Sequence, residues 1–236
     1  MKKIFLGVVC LTLVFSLSIV VINSSKNNKI DTIEKTIYPI SVDFDSVQKN
    51  YRQGVLAYNY KDKAKHVGFM DNVFVGKVES LVGTSYTDVS IKDDMVYGTS
   101  WTNYKVTVLK NIKGNLKENA TIPIRKWAGL NFDNTLLTID EYDIMPKEGY
   151  IYIFCAFVDE DGELYISCNE SNILLGKDCE NEILEAFSDS KTIDNNSYIY
   201  QILNEYKEAE AKHDNSVDNG SKRYTPKQEY ILVVAE

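Results

Sequence analysis

The consecutive segments Tyr150-Ile-Tyr-Ile-Phe-Cys-Ala-Phe-Val158, Asp159-Glu-Asp-Gly-Glu163 and Leu164-Tyr-Ile-Ser-Cys168 decide how this chain is read. The outer two are rich in aromatic and β-branched residues, and the middle one carries Asp161-Gly162, the dipeptide of a tight type I′ turn. They predict a β-hairpin. With Asp161 and Gly162 as the two turn residues, Cys155 falls directly opposite Cys168 as a non-hydrogen-bonded pair, the closer kind, so a disulfide is within reach. Two reduced cysteines packed side by side, or a bond between Cys168 and Cys179, are the alternatives.

Upstream of the hairpin the same β character recurs three times. Asn72-Val-Phe-Val-Gly-Lys-Val-Glu-Ser-Leu-Val82 is followed by an expected turn at Gly83-Thr84. A second segment runs from 103 to 112 and alternates Tyr104, Val106 and Val108 with Lys105, Thr107 and Leu109; a third covers 120–127, where Pro123 argues for an edge or a bulge. Five short strands separated by turns, with helical patterns outside them, predict a mainly β protein with peripheral helices: a five-stranded OB-like barrel. Val75, Val106, Val108, Ile153 and Phe157 are expected in its core.

Helical periodicity is expected over 45–66, with Asp45 as N-cap, and over 180–187. A third helix is capped by Ser197, with Tyr198, Ile199, Ile202, Leu203 and Tyr206 as its apolar stripe. Residues 230–235 read as a final strand or an apolar tail. The implied organisation is an anchor or signal at 1–25, a spacer and helical lead-in at 26–66, the barrel at 67–190, and a C-terminal helix and tail at 191–236.

At the other end, Lys2 and Lys3 precede an uncharged run from Ile4 to Ile22, which at about 1.5 Å per residue nearly spans a hydrocarbon core of roughly 30 Å. Its length and the absence of a good small-x-small cleavage site favour a membrane anchor with the lysines on the cytoplasmic side; a cleaved signal peptide, leaving a secreted protein, is the alternative. Either reading exports everything after Ser25.

The 236 residues are 44% hydrophobic and 25% charged, with a net charge of -8. That composition is globular, and the negative field together with export argues against nucleic acid as a partner. With only two histidines, His66 and His213, histidine metal clusters and Ser-His-Asp arrangements are hard to build. Hydrolase, phosphate-loop, zinc-protease and dinucleotide signatures are missing, and no cofactor is expected. Four carboxylates at Asp159, Glu160, Asp161 and Glu163 lack calcium-loop spacing and read as a charged hairpin tip. His66 reads as a contact at a helix C-terminus.

One surface stands out against the overall charge. Lys105, Lys110, Lys113, Lys117, Arg125 and Lys126 occupy the second and third strands, with Glu118 opposing them and with Trp101, Tyr104 and Trp127 among them. Lys105, Lys110, Lys113, Arg125, Trp101 and Trp127 are therefore the candidate ligand contacts, suited to an extracellular protein or an anionic surface polymer; a merely solvated sheet face is the competing reading.

The order Val73–Val78, Tyr104–Asn115, Lys147–Phe154 and then Asp161-Gly162 with its tyrosine strand resembles bacterial exported proteins whose ectodomain is a netrin-like or tissue-inhibitor-of-metalloproteinases-like OB barrel, over about residues 60 to 190. The eukaryotic inhibitors set the amine and carbonyl of an N-terminal cysteine on a catalytic zinc. No cysteine here stands at such a position, so the resemblance implies a fold and no inhibitory residue. The expected function is a membrane-anchored, non-catalytic binding module for a protein or surface polymer, with a secreted protease inhibitor or an enzyme as the alternative.

Overall fold

The computed structural model describes residues 26–34, 36–53, 61–167, 169–188, 197–212 and 226. The apolar run at 4–22, Cys168, His213 and the stretch 230–235 lie outside these. Among the described residues no helix is long and apolar enough to cross a membrane.

In chain order the elements are β1 (Gln48–Arg52), α1 (Lys63–Phe69), β2 (Asn72–Lys92), β3 (Met95–Lys113), β4 (Thr121–Lys126), β5 (Gly129–Leu130), β6 (Leu136–Asp140), β7 (Tyr150–Val158), β8 (Leu164–Ile166), β9 (Asn172–Lys177), α2 (Glu180–Ala186) and α3 (Tyr198–Lys212). Residues 26–34 are also helical. The main sheet runs β2-β3-β4-β8-β7-β9, and a further pairing of β2 with β7 closes five of its strands into a barrel. β4 and β8 are parallel, while the other barrel neighbours are antiparallel. Around the barrel the strands follow one another as first, second, third, fifth and fourth in chain order, the OB-like architecture expected from sequence.

Strand β7 explains why its sequence is a continuous apolar run. A strand buried on one face alternates, whereas β7 and the first part of β2 are covered on both. Tyr152, Phe154 and Ala156 point into the barrel with Phe74, Val78, Tyr104, Val106, Val108, Ile122 and Ile124. Ile151, Ile153 and Cys155 point out, with Val73 and Val75, into a second core closed by Val67 of α1, Ile183 of α2, and Leu203 and Tyr206 of α3. The five expected core residues thus divide: Val106 and Val108 fill the barrel, Val75 and Ile153 lie beneath the helices, and Phe157 is half-buried at that outer core's edge.

Four expectations change. First, residues 48–52 are extended, not helical: β1 pairs in parallel with β6, and the Arg52 Nε donates to Asp140 Oδ1 at 2.9 Å. Ladder and ion pair outweigh the helix-like spacing of Val47 and Tyr51, and Tyr51 is 58% exposed. Among the described residues of 45–66, helix is confined to the start of α1, where the Asp62 side chain caps the Lys65 amide.

Second, the chain does not turn at Gly83-Thr84. β2 continues to Lys92 and turns at Asp93-Asp94, both at positive φ, as a type I′ turn requires. Gly83 serves a close approach instead: Tyr38 and Thr84 exchange backbone hydrogen bonds at 2.8 Å, and a Cβ on Gly83 would stand 2.3 Å from the Tyr38 carbonyl oxygen.

Third, the β7–β8 register is shifted by one residue. Phe157 faces Tyr165 and Val158 faces Leu164, because the turn has three loop residues with Gly162 in the left-handed region at φ 80°. The Asp159 carboxylate sets it, accepting from the amides of Asp161 at 3.0 Å and Glu163 at 2.8 Å. A one-residue slip moves side chains to the opposite face, and the Cys155 amide donates to Ser171 O. The register that set Cys155 opposite Cys168 does not hold at Phe157 and Val158, Cys168 itself lies outside the described residues, and Cys155 and Cys179 are both thiols. Fourth, β5, β6 and β9 are strands that the sequence pattern left unmarked.

Candidate functional site

Inward and outward positions alternate along β3 and β4. Even-numbered residues from Thr102 to Val108 and from Ile122 to Lys126 are buried, and Lys105, Thr107, Pro123 and Arg125 between them are more exposed, whereas Asn103 is buried as well, its side-chain amide donating to Gly83 O and Ser85 Oγ. The register that pairs Thr102 with Lys126 brings Trp101 beside Trp127 on the outer surface, ring centres 6.3 Å apart and stacked. Tyr165 of β8 meets Trp101 edge-on at 5.8 Å, and Phe157 stacks on Tyr165 at 5.4 Å. Phe69, at the end of α1, closes the row edge-on to Phe157 at 5.7 Å. Five rings form one ladder across three barrel strands; each such contact contributes about 0.5–1.5 kcal/mol beyond the area it buries.

Two guanidinium groups hold the ladder. That of Arg125 lies 4.9 Å from the Trp101 ring centre and that of Arg52 4.1 Å from the Trp127 ring centre, both within cation–π range. Arg125 donates to Asp159 Oδ2 at 2.6 Å, while Glu163 Oε2 stands 3.1 Å from its Nε, near enough for charge attraction but out of line for a hydrogen bond. Arg52 also donates to the Trp127 carbonyl. Burial pushes the Tyr165 hydroxyl up, so it stays protonated at neutral pH.

Of the six candidate contacts, Trp101, Trp127 and Arg125 therefore come together. Lys105 is exposed on the same outer row of β3, two outward positions from Trp101. Lys110 and Lys113 are engaged elsewhere. The Lys110 ammonium lies 2.7 Å from Glu118 Oε2 and, as its hydrogen-bond partner, holds that carboxyl below its usual value. Lys113 Nζ donates to the carbonyls of Val67, Gly68 and Met70 at 2.8, 2.9 and 2.6 Å, and so supplies the cationic contact at the C-terminal end of α1. Lys126, one of the basic cluster, faces the barrel interior: fully buried, its ammonium lies 2.6 Å from Asp143 Oδ2 and 2.7 Å from Asn172 Oδ1.

His66 lies in the last turn of α1, as the sequence placed it. It is buried in α1 with Nε2 3.1 Å from Glu170 O, and burial pushes its imidazole down to about 4; the neutral ring donates its Nε2 proton to that carbonyl. Among the described residues no group of three or more His, Cys, Asp or Glu side chains could hold a metal.

Sequence reading missed Tyr165, Phe157, Phe69 and Arg52 as members of this surface. The two-residue period of Leu164-Tyr-Ile166 already placed Tyr165 opposite in face to its neighbours. Arg52 carried no comparable signal, since it reaches Trp127 only through the small sheet of β1, β5 and β6. Comparison with models of known protein families and with curated proteins finds no match to the chain.

Proposed function

We propose that this chain is a non-catalytic binding module, held on the extracytoplasmic side of a cell membrane by residues 4–22, whose outer β3–β4–β8 face engages an extracellular protein or surface polymer. The ring ladder carries this reading. The barrel interior is already filled by other side chains, so rings outside it are not needed to close that core, and Trp127 remains 38% exposed at the rim. Trp, Tyr and Arg are also the residues that dominate binding hot spots. The ion pairs of Arg125 and Arg52 leave this face with little net positive charge, so ring contact rather than long-range attraction supplies the affinity. The likeness to exported netrin-like and tissue-inhibitor-of-metalloproteinases-like ectodomains belongs to the same reading, supported at the level of fold by the strand order.

The test is retention of cell-surface protein and of purified wall polymer by the full chain, compared with Trp101→Ala and Trp127→Ala. Loss of a hot-spot ring should weaken retention about thirtyfold, with only a small further effect of salt. Equal retention by wild type and both variants would refute this face as the binding surface.

A further inference from the structure

Strands β2 and β3 outgrow the barrel. Pairing of β2 with β7 ends at Lys77 and that of β3 with β4 at Thr102. From Thr84 to Lys92 and from Met95 to Trp101 the two strands pair, among the described residues, only with each other and with Tyr38. At about 3.3 Å per residue they form an arm roughly 26 Å long, closed by the Asp93-Asp94 turn.

The helix 26–34 is fastened along one face of this arm. A bulge between Thr87 and Ser90, with Asp88 at φ 53°, interrupts the ladder, and the Val89 amide donates to Glu34 Oε1 at 2.8 Å. Ile33 is buried with Tyr86 and Val89, and Ile30, Tyr38 and Val96 pack against them. These contacts give the helix a direction. Tyr38 bridges Thr84, Glu34 reaches Val89, and Ile30 joins the cluster that extends to Val96, next to the last pair before the turn, Lys92 with Met95. Each step back along the chain is a step towards the turn. From Glu34 to Lys26 the helix covers about 12 Å, and from Val89 to Asp93 the strand covers about 13 Å, so Lys26 and the turn lie at about the same level.

At this end stand two large apolar side chains. Val96 turns to the helix, so by alternation Met95 and Tyr97 turn to the opposite face. They are 56% and 47% exposed, and the Tyr97 hydroxyl donates to the Met95 sulfur at 3.7 Å. An apolar pair that ends in a hydroxyl suits the boundary between lipid headgroups and acyl chains, where tyrosines concentrate. Net charge neither drives nor opposes such a contact, because Lys26, Lys29 and Lys92 are matched by Asp31, Asp93 and Asp94.

With residues 4–22 in the membrane, only Asn23, Ser24 and Ser25 separate the apolar run from Lys26, and the extended chain from Ile22 to Lys26 spans at most about 14 Å. We propose that the tip of the arm rests on the lipid surface, with Met95 and Tyr97 at the headgroup boundary, so that anchor and arm together hold the barrel at a fixed attitude; this rests on the anchor reading above. Trp101 lies six residues along β3 from Met95, about 20 Å, which keeps the ring ladder clear of the lipid and open to its partner.

The test is photolabelling of the full chain in phosphatidylcholine nanodiscs by a phosphatidylcholine that carries a diazirine close to its ester carbonyls, mapped residue by residue. Label is expected on residues 4–22 and on Met95 and Tyr97, with Trp101 and Trp127 far less labelled. Replacing both exposed side chains, Met95→Asp with Tyr97→Asp, should lower label on the unaltered Lys92, Asp93 and Asp94 about tenfold and leave that on 4–22 unchanged. High salt should alter neither. If the double variant lost its fold, judged by circular dichroism, the wild-type labelling and its salt response would decide. Label on 4–22 with none on 92–97 would overturn the arm contact and leave the anchor standing, whereas a chain released from the bilayer, with neither segment labelled, would overturn both. Label on Trp127 equal to that on Tyr97 would put the ladder face on the lipid, and label at the tip lost in high salt would make the contact one of charge; either result overturns the proposal.

Discussion

Replacing Lys126 by Met removes an ammonium from the barrel interior and strands its partner. The Lys126 side chain is fully buried and that of Asp143 is 4% exposed, with 2.6 Å between the charged atoms. Breaking a buried pair from one side costs about 3–5 kcal/mol, since the remaining charge has neither water nor counter-charge; Asn172 Oδ1 loses its donor as well. Against a typical domain stability of about 5–15 kcal/mol, thermal unfolding of the full chain followed by circular dichroism at pH 7 should drop by roughly 10 °C. Adding Asp143→Leu should recover most of that loss, because no uncompensated charge is then buried. The pH dependence gives an independent check. Burial already pushes the Asp143 carboxyl above its usual value, opposed by the Lys126 ammonium, and without Lys126 it moves further up. A carboxyl raised in the folded state holds its proton more tightly there than in the unfolded chain, so its cost accumulates as pH rises from the ordinary carboxylate value to the raised one. The deficit of Lys126→Met should therefore shrink on acidification. A loss below about 1 kcal/mol at pH 7, or one independent of pH, would mean that water reaches the ammonium and that the pair is a surface contact.

Two further outcomes follow from buried cations and imidazoles. His66, lowered from 6.5 to about 4, is bound to destabilise the fold on acidification: the neutral ring's contribution is complete above pH 6.5 and is lost towards pH 4, about 3 kcal/mol in total. His66→Gln, which keeps a donor for Glu170 O beside Lys63, should flatten that part of the urea-unfolding profile; a profile identical to wild type would show that His66 does not set it. Lys113→Met should cost about 3 kcal/mol by removing a charged donor from three α1 carbonyls, whereas Lys110→Met breaks only a partly exposed pair and should cost less than about 1 kcal/mol. Equal losses in urea titrations would contradict the different roles assigned to these two lysines.

How far the barrel could be read in advance is clearest in β7 and β3. Nine residues of nearly unbroken apolar character at 150–158 and the alternation of Tyr104, Val106 and Val108 are local patterns, and they located barrel strands because chain geometry alone imposes a period of two. β1 and β5 carry no such pattern. Gln48–Arg52 is mostly exposed and Gly129–Leu130 is two residues long; both are strands because β6 lies between them. The same contrast runs through the candidate site. Trp101, Trp127 and Arg125 could be named as a group because they sit on two adjacent strands, but Phe69 and Arg52 join it from elements remote in sequence.

By itself, the amino-acid sequence determined the number and order of the barrel strands, the helices at 180–186 and 198–212, and the acidic balance of the whole molecule, all of which depend on residue type at short range. Tertiary structure decided the rest. Whether Lys126 faces water or Asp143 and whether Lys113 offers its charge to a ligand or to three carbonyls each turn on strand parity, and that Phe157 faces Tyr165 turns on one residue of register, set at 159–163 by the amides from which the Asp159 carboxylate accepts. A side-chain period of two converts a single-residue shift into a change of face, and facing surfaces here come from segments more than a hundred residues apart, such as Lys63 and Tyr206, so local sequence carries no record of the partner that each charge or ring will meet.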